Sequence, residues 1–103
     1  RFLFGDYITD SDIRLYTTLA RFDYSYSRNI GPCVHRLVDY KNLWPYARDL
    51  YQTPGFGDTT NFAAIKKHYH IDCFPSNEFA IVPNGPDESL WLTPHGREKL
   101  SGK

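Results

Sequence analysis

Apolar positions recur at helical spacing over the first quarter of the chain. In "YITDSDIRLYTTLARFDYSY", Leu15, Leu19, Phe22 and Tyr26 follow at intervals of four, three and four, with Ile13, Tyr16 and Ala20 in a second row beside them. Thr9 is placed to cap this helix. Asp12, three residues on, can return its carboxylate to the free N–H of Thr9, a capping box in its Thr-x-x-Asp form. Ile8 and Ile13 stand at the two positions of a hydrophobic staple. An apolar arc this wide requires burial on most sides. The closing "RFDYSY" alternates as a strand would, yet helical spacing accounts for more of its residues and returns Tyr26 to the buried stripe where the helix ends.

Further along, "SRNIGP" breaks the pattern, Gly31 ending one element and Pro32 suiting the first turn of the next. "CVHRLVDY" reads as a short amphipathic helix with Val34, Leu37, Val38 and Tyr40 on one face. Asn42 is the expected N-cap of "LWPYARDLYQ", where Pro45 still falls in the first turn and Leu43, Tyr46, Ala47, Leu50 and Tyr51 form the apolar face. "TPGFGD" ends it. One more short helix is expected after "TTN", capped by Asn61 or Thr60, with Phe62, Ile65 and Tyr69 at spacings of three and four. Beyond Ile71 the chain holds four of its seven prolines and three of its seven glycines. Residues 72–103 therefore read as an extended, Pro-rich C-terminal tail lying on a helical body of residues 1–71, anchored by Phe74, Phe79, Ile81, Val82, Leu90 and Trp91. The class expected is all-α.

Composition sharpens this picture at three points. Aromatic residues are 17% of the chain, eight of them Tyr, and Tyr suits walls that are apolar along the ring and polar at the tip. Twelve basic and twelve acidic side chains cancel, without the basic face that a nucleic-acid binder needs. Apolar runs are too short to span a membrane, and no secretory signal is visible. The chain has 103 residues, no Met, and opens mid-pattern on "RFLFGD", as a piece of a longer protein would. Two cysteines, Cys33 and Cys73, fall short of a secreted disulfide framework, which favours a reducing, cytoplasmic setting.

Candidate chemistry is sparse. "HYHIDC" gathers His68, His70, Asp72 and Cys73, but a zinc site needs four converging ligands, and two histidines two apart diverge on a helix. Cys33 sits near a helix start with His35 and Arg36 close by, features that lower a thiol's pKa; a small core residue there is the plainer reading. "GFGDTTN" lacks the Lys of a phosphate-binding loop. Tyrosines are the richer population. Most fill core, but Tyr26 and Tyr69 each end a helix, where a protonated phenol can project and either donate or accept a hydrogen bond.

"FLFGDYITDSDIRLYTTLARFDYSY" resembles the central helix of the C-terminal domain of glutathione transferases, whose buried capping box and staple match Ile8, Thr9, Asp12 and Ile13. "DYKNLWPYARDLYQTPG", "TTNFAAIKKHYH", "IVPNGP" and "PHGRE" narrow the resemblance to glutathionyl-hydroquinone reductases, the xi class. The resemblance implies that residues 1–71 form part of a glutathione transferase C-terminal-like helical bundle, with the tail packed on it. It implies a parent enzyme with a thioredoxin-like N-terminal domain, which binds glutathione and carries a nucleophilic cysteine in a Cys-Pro-Trp-Ala motif. That motif does not occur here, so neither Cys33 nor Cys73 inherits the role, no catalytic residue is expected in this chain, and the chain alone is expected to be inactive. Tyr26 and Tyr69 map onto two of the family's three tyrosines that bind the glutathionyl-hydroquinone substrate. A homodimer is implied, with neither nucleic acid, membrane nor metal as partner. Where the family often follows its tyrosine with a Gly-His-Phe-Lys-like loop, this chain reads "SRNIGP", which implies a different pocket rim. The competing reading is a non-catalytic, transferase-like assembly module, for which two phenols at helix ends would be superfluous.

Overall fold

The computed structural model describes residues 1–23, 35–68 and 87–101. Three α-helices carry the architecture: α1 (Asp10–Arg21), α2 (Leu43–Tyr51) and α3 (Phe62–Lys67). Single 3-10 turns fall at Leu37–Asp39, Gly57–Thr59, Glu88–Leu92 and Glu98–Ser101. Among the described residues the only β-pairing is an isolated bridge between Phe2 and Gly5. The all-α expectation holds.

Helix α1 begins where its sequence says it should. Thr9 is extended, and the Asp12 carboxylate accepts from its backbone N–H at 3.0 Å and from its hydroxyl at 3.2 Å. The same carboxylate reaches beyond the helix, accepting from the Leu3 N–H at 3.1 Å and from the Tyr46 hydroxyl at 2.6 Å. Asp12 is fully buried, and these donors fill its acceptor positions. Of the two staple positions, Ile8 packs half-buried against the core, whereas Ile13 is 47% exposed on an open face of α1.

Tyr16, Leu19 and Ala20 of α1 meet Tyr46, Ala47 and Leu50 of α2 in the core, joined by Leu37, Phe62 and Trp91. Instead of the helix expected over "CVHRLVDY", the described part forms only the Leu37–Asp39 turn, with Tyr40 extended after it and 39% exposed. Buried Asp23, just past the end of α1, accounts for the difference. Its carboxylate takes the N–H groups of Leu37 at 2.6 Å and Val38 at 3.4 Å, donors that a longer helix would have used internally. Burial outweighs those bonds and raises the Asp23 carboxyl above its ordinary range.

Of the two caps expected for α3, Asn61 is the one used, its side-chain oxygen accepting from Ala64 N–H at 3.0 Å. The described part of the C-terminal stretch, residues 87–101, enters the core through Trp91. The indole is 2% exposed within a ring cage of Trp44 (centroids 4.8 Å), Tyr51 (5.3 Å) and Phe62 (5.5 Å). Gln52 fastens the same segment by donating to the carbonyls of Trp91 and Thr93, and Arg48 by donating to Thr93 Oγ1 and the Pro94 carbonyl. Trp91→Ala should lower stability by about 3–5 kcal/mol through cavity formation. Leu92→Ala, at a 67% exposed neighbour, should stay within about 0.5 kcal/mol of the parent in the same urea titration.

Candidate functional site

Helices α1 and α3 do not close on each other. Between them lies a cleft of about 420 Å³, walled by one face of α1 (Ile13, Tyr16, Thr17, Ala20, Arg21), by Asn61, Ala64 and Ile65, and floored by the loop that carries Phe56 and Thr60. The loop is held close by Gly57, where any Cβ would collide with the backbone carbonyl of Tyr51. Thr60 therefore lies directly under α1, where its hydroxyl stands 2.7 Å from the Tyr16 phenol. Phe56 packs edge-on against the Tyr16 ring, with centroids 5.2 Å apart. Tyr16 is 5% exposed, and burial pushes its phenol up to about 12. It is a neutral phenol throughout the physiological range. The wall thus combines apolar surface with a ring of hydroxyls, suited to a flat aromatic guest with polar substituents.

Arg21, the last residue of α1, is on the lining, and Ala64 and Ile65 bring α3 to it. Tyr26 and Tyr69 themselves lie outside the described residues, as do Cys33, Cys73, His70 and Asp72. As site residues, Tyr16 and Thr60 carry no signal in the sequence. Tyr16 sits on the apolar stripe and reads as core, and only the fold sets Thr60 beneath it, 44 residues later. Among the described residues no group of three His, Cys, Asp or Glu side chains is placed to hold a metal ion, and no helix is long and apolar enough to cross a membrane.

A second polar cluster centres on Asp49 of α2. Asp49, 1% exposed, takes a two-pronged bond from Arg1 (2.8 and 2.7 Å), with His95 Nε2 at 3.5 Å and Arg97 Nε at 3.6 Å. Gly96, at φ +67°, provides the left-handed turn between His95 and Arg97 that lets both face the same carboxylate. This is the "PHGRE" string. Its geometry is that of a structural clasp, with the basic groups gathered round one buried acid and His95 Nε2 also 3.6 Å from Glu98.

No family model matches the chain. The glutathionyl-hydroquinone reductase YqjG of Escherichia coli is 43% identical over 102 residues, 99% of this chain and 31% of that protein. Among solved structures, a glutathione transferase from Gordonia bronchialis superposes with a TM-score of 0.88 at 55% identity, over 96% of this chain and 31% of that one. The glutathione-bound structure of E. coli YqjG gives 0.84 at 42% identity, over 95% and 32% of the respective chains. A xi-class glutathione transferase from Natrialba magadii gives 0.87 at 40% identity, over 96% and 30%. The chain thus spans about a third of the length of each of these relatives. Sequence and fold therefore agree, along nearly all of this chain's length, with about a third of the length of proteins named glutathionyl-hydroquinone reductase and xi-class glutathione transferase.

Proposed function

We propose that this chain is the hydroquinone-binding helical part of a glutathione-dependent reductase that removes the glutathionyl group from glutathionyl-hydroquinones. The observation that carries the reading is the match over 99% of the chain to a protein named for that activity. The cleft between α1 and α3 supports it, since the phenol-bearing segments "RFDYSY" and "KKHYH" continue from the two helices that wall it.

In the proposed reaction a cysteine thiolate of a thioredoxin-like N-terminal domain attacks the thioether sulfur. The carbon–sulfur bond breaks, its electron pair passes to the ring carbon, and a proton there completes the free hydroquinone. The cysteine is left as a mixed disulfide with glutathione, and a second glutathione thiolate displaces it to give glutathione disulfide. Glutathione is bound mainly by that other domain. Tyr26 and Tyr69 act as neutral phenols, hydrogen-bonding the ring oxygens and relaying the proton to carbon. The working enzyme is a cytoplasmic homodimer.

Tyr69→Phe, made in the enzyme that joins this chain to its thioredoxin-like domain, should lower kcat on a glutathionyl-hydroquinone about a hundredfold, the lower end of what a positioned proton donor contributes. Unchanged kinetics would remove Tyr69 from the site. A parent chain without Cys-Pro-Trp-Ala upstream would sink the whole reading.

A further inference from the structure

Three acids are buried among the described residues, and two of them, Asp12 and Asp49, bond groups that hold the core and the chain ends together. Asp23 does neither. It is 6% exposed just past the end of α1, and its carboxylate oxygens accept from the N–H groups of Leu37 at 2.6 Å and Val38 at 3.4 Å. The chain at 24–36 therefore leaves and returns at this one carboxylate. Packing does not ask for a charge there. Burial raises the Asp23 carboxyl by more than the two bonds and the attraction of Arg36, an exposed side chain that bridges Asp39, bring it down. The ionised group is thus held at a net cost that a neutral side chain would avoid. Phe22 and Asp23 also run on from α1 in a wider π turn, a rare form that recurs at functional sites. Three residues further along the sequence stands Tyr26, and two residues back Arg21 lines the cleft.

We propose that Asp23 is a positioning residue for Tyr26, fixing the chain that follows α1 against the Leu37–Asp39 turn so that the phenol meets the substrate ring in one place. The role of Tyr26 rests on the proposed function; the tie between Asp23 and the turn does not. The carboxylate faces backbone N–H groups, so it acts through Tyr26 and not on the substrate. A proton donor is effective only where its geometry is held, and a shift of about 1 Å can cost on the order of a hundredfold in rate. A short, buried bond to the backbone supplies that hold, which neither the helix period nor the apolar core provides beyond the last turn of α1.

The test uses the full-length parent enzyme. Asp23→Ala should lower kcat on a glutathionyl-hydroquinone by about ten- to a hundredfold. Asp23→Asn keeps an oxygen for the Leu37 N–H and should recover most of that loss. Exchange with a small glutathione mixed disulfide, which needs the nucleophilic cysteine but no ring, should run at the parent rate in both variants. Tyr26→Phe should add little in the Asp23→Ala background, because the phenol is already displaced. Full kcat in Asp23→Ala, an equal loss in the two reactions, an Asp23→Asn variant no better than Asp23→Ala, or losses from Asp23→Ala and Tyr26→Phe that multiply each overturn the proposal. A fluorotyrosine placed at position 26 gives a readout independent of turnover. Its fluorine NMR resonance should move in Asp23→Ala and return in Asp23→Asn. A parent that does not deglutathionylate while that pattern holds refutes the proposed function and leaves the tie between Asp23 and Tyr26 standing. An unmoved resonance in an active parent refutes the tie and leaves the function.

Discussion

Replacing Asp12 with alanine will cost this protein about 3–5 kcal/mol, because buried donors left without an acceptor cost about 1–3 kcal/mol each. Four donors lose their acceptor at once: the Thr9 N–H and hydroxyl, the Leu3 N–H and the Tyr46 hydroxyl. Asp12→Asn should cost less, about 2 kcal/mol, because an amide keeps one acceptor but turns its N–H₂ toward another donor. Tyr46→Phe leaves the carboxylate three of those bonds and should cost about 1–2 kcal/mol. The pH dependence carries its own sign. Burial alone would raise the Asp12 carboxyl, but the bonds from Tyr46, Thr9 and Leu3 outweigh it and hold the group below its ordinary value. Its stabilisation is therefore present above the unfolded value of about 3.9 and lost as pH falls below it. Urea midpoints measured from pH 6 down to pH 3 should drop steeply for the parent and less for Asp12→Asn. At the alkaline end, burial and the bond to Asp12 raise the Tyr46 phenol, and burial raises Tyr16 to about 12. Their contribution is complete below the unfolded value of about 10 and is lost as pH rises past it. A parent and an Asp12→Asn variant with the same acid profile would show that the carboxylate does not hold the helix start.

The contrast between Asp12 and its partners shows what the sequence can express. Thr9 and Asp12 are three residues apart, so the cap of α1 is a matter of spacing alone, and the same is true of Asn61 over Ala64. The apolar faces of α1 and α2 follow from helical period, and they place Tyr16, Leu19, Tyr46 and Leu50 in the core. What pattern does not carry is the identity of distant partners. Nothing local announces that Tyr46 will bond Asp12 across 34 residues, or that Asp23 will take backbone N–H groups 14 and 15 residues away and cut a helix to one turn. Ile13 fits the apolar stripe by spacing, but its face of α1 borders the cleft, so it remains exposed. The direction of each hydroxyl hydrogen along the cleft is equally invisible in sequence, since it is set by carbonyls that only the folded loop brings near.

Asp49→Ala is the second large effect, about 3–5 kcal/mol. The residue follows Tyr46 by three on α2 and precedes Leu50, and it is 1% exposed; an acid there must find basic partners, and they come from both ends of the chain. Arg1 supplies the two-pronged bond, Arg97 stands at 3.6 Å, and the His95 ring, its Nδ1 accepting the Arg97 N–H at 2.9 Å, turns Nε2 toward the acid. Arg97 also donates to the Arg1 carbonyl and lies over the Tyr46 ring at 5.5 Å, which couples this clasp to the Asp12 network through one side chain. Removing the acid leaves three basic groups converging on an uncompensated void. Removing Arg1 instead leaves Asp49 with two of its partners, and Arg1 is itself 22% exposed, so Arg1→Ala should cost only about 1–2 kcal/mol. Because the pair is in contact, the double variant should cost less than the sum of the two by about 1 kcal/mol or more. The clasp lies a few residues past Trp91, so loosening it also frees the segment that fills the ring cage. Hydrogen exchange in Asp49→Ala should therefore accelerate first over residues 87–101 and Trp44, and later over α1. Uniform acceleration, or a strictly additive double variant, would mean that Asp49 supports α2 alone and does not bind the C-terminal segment to it.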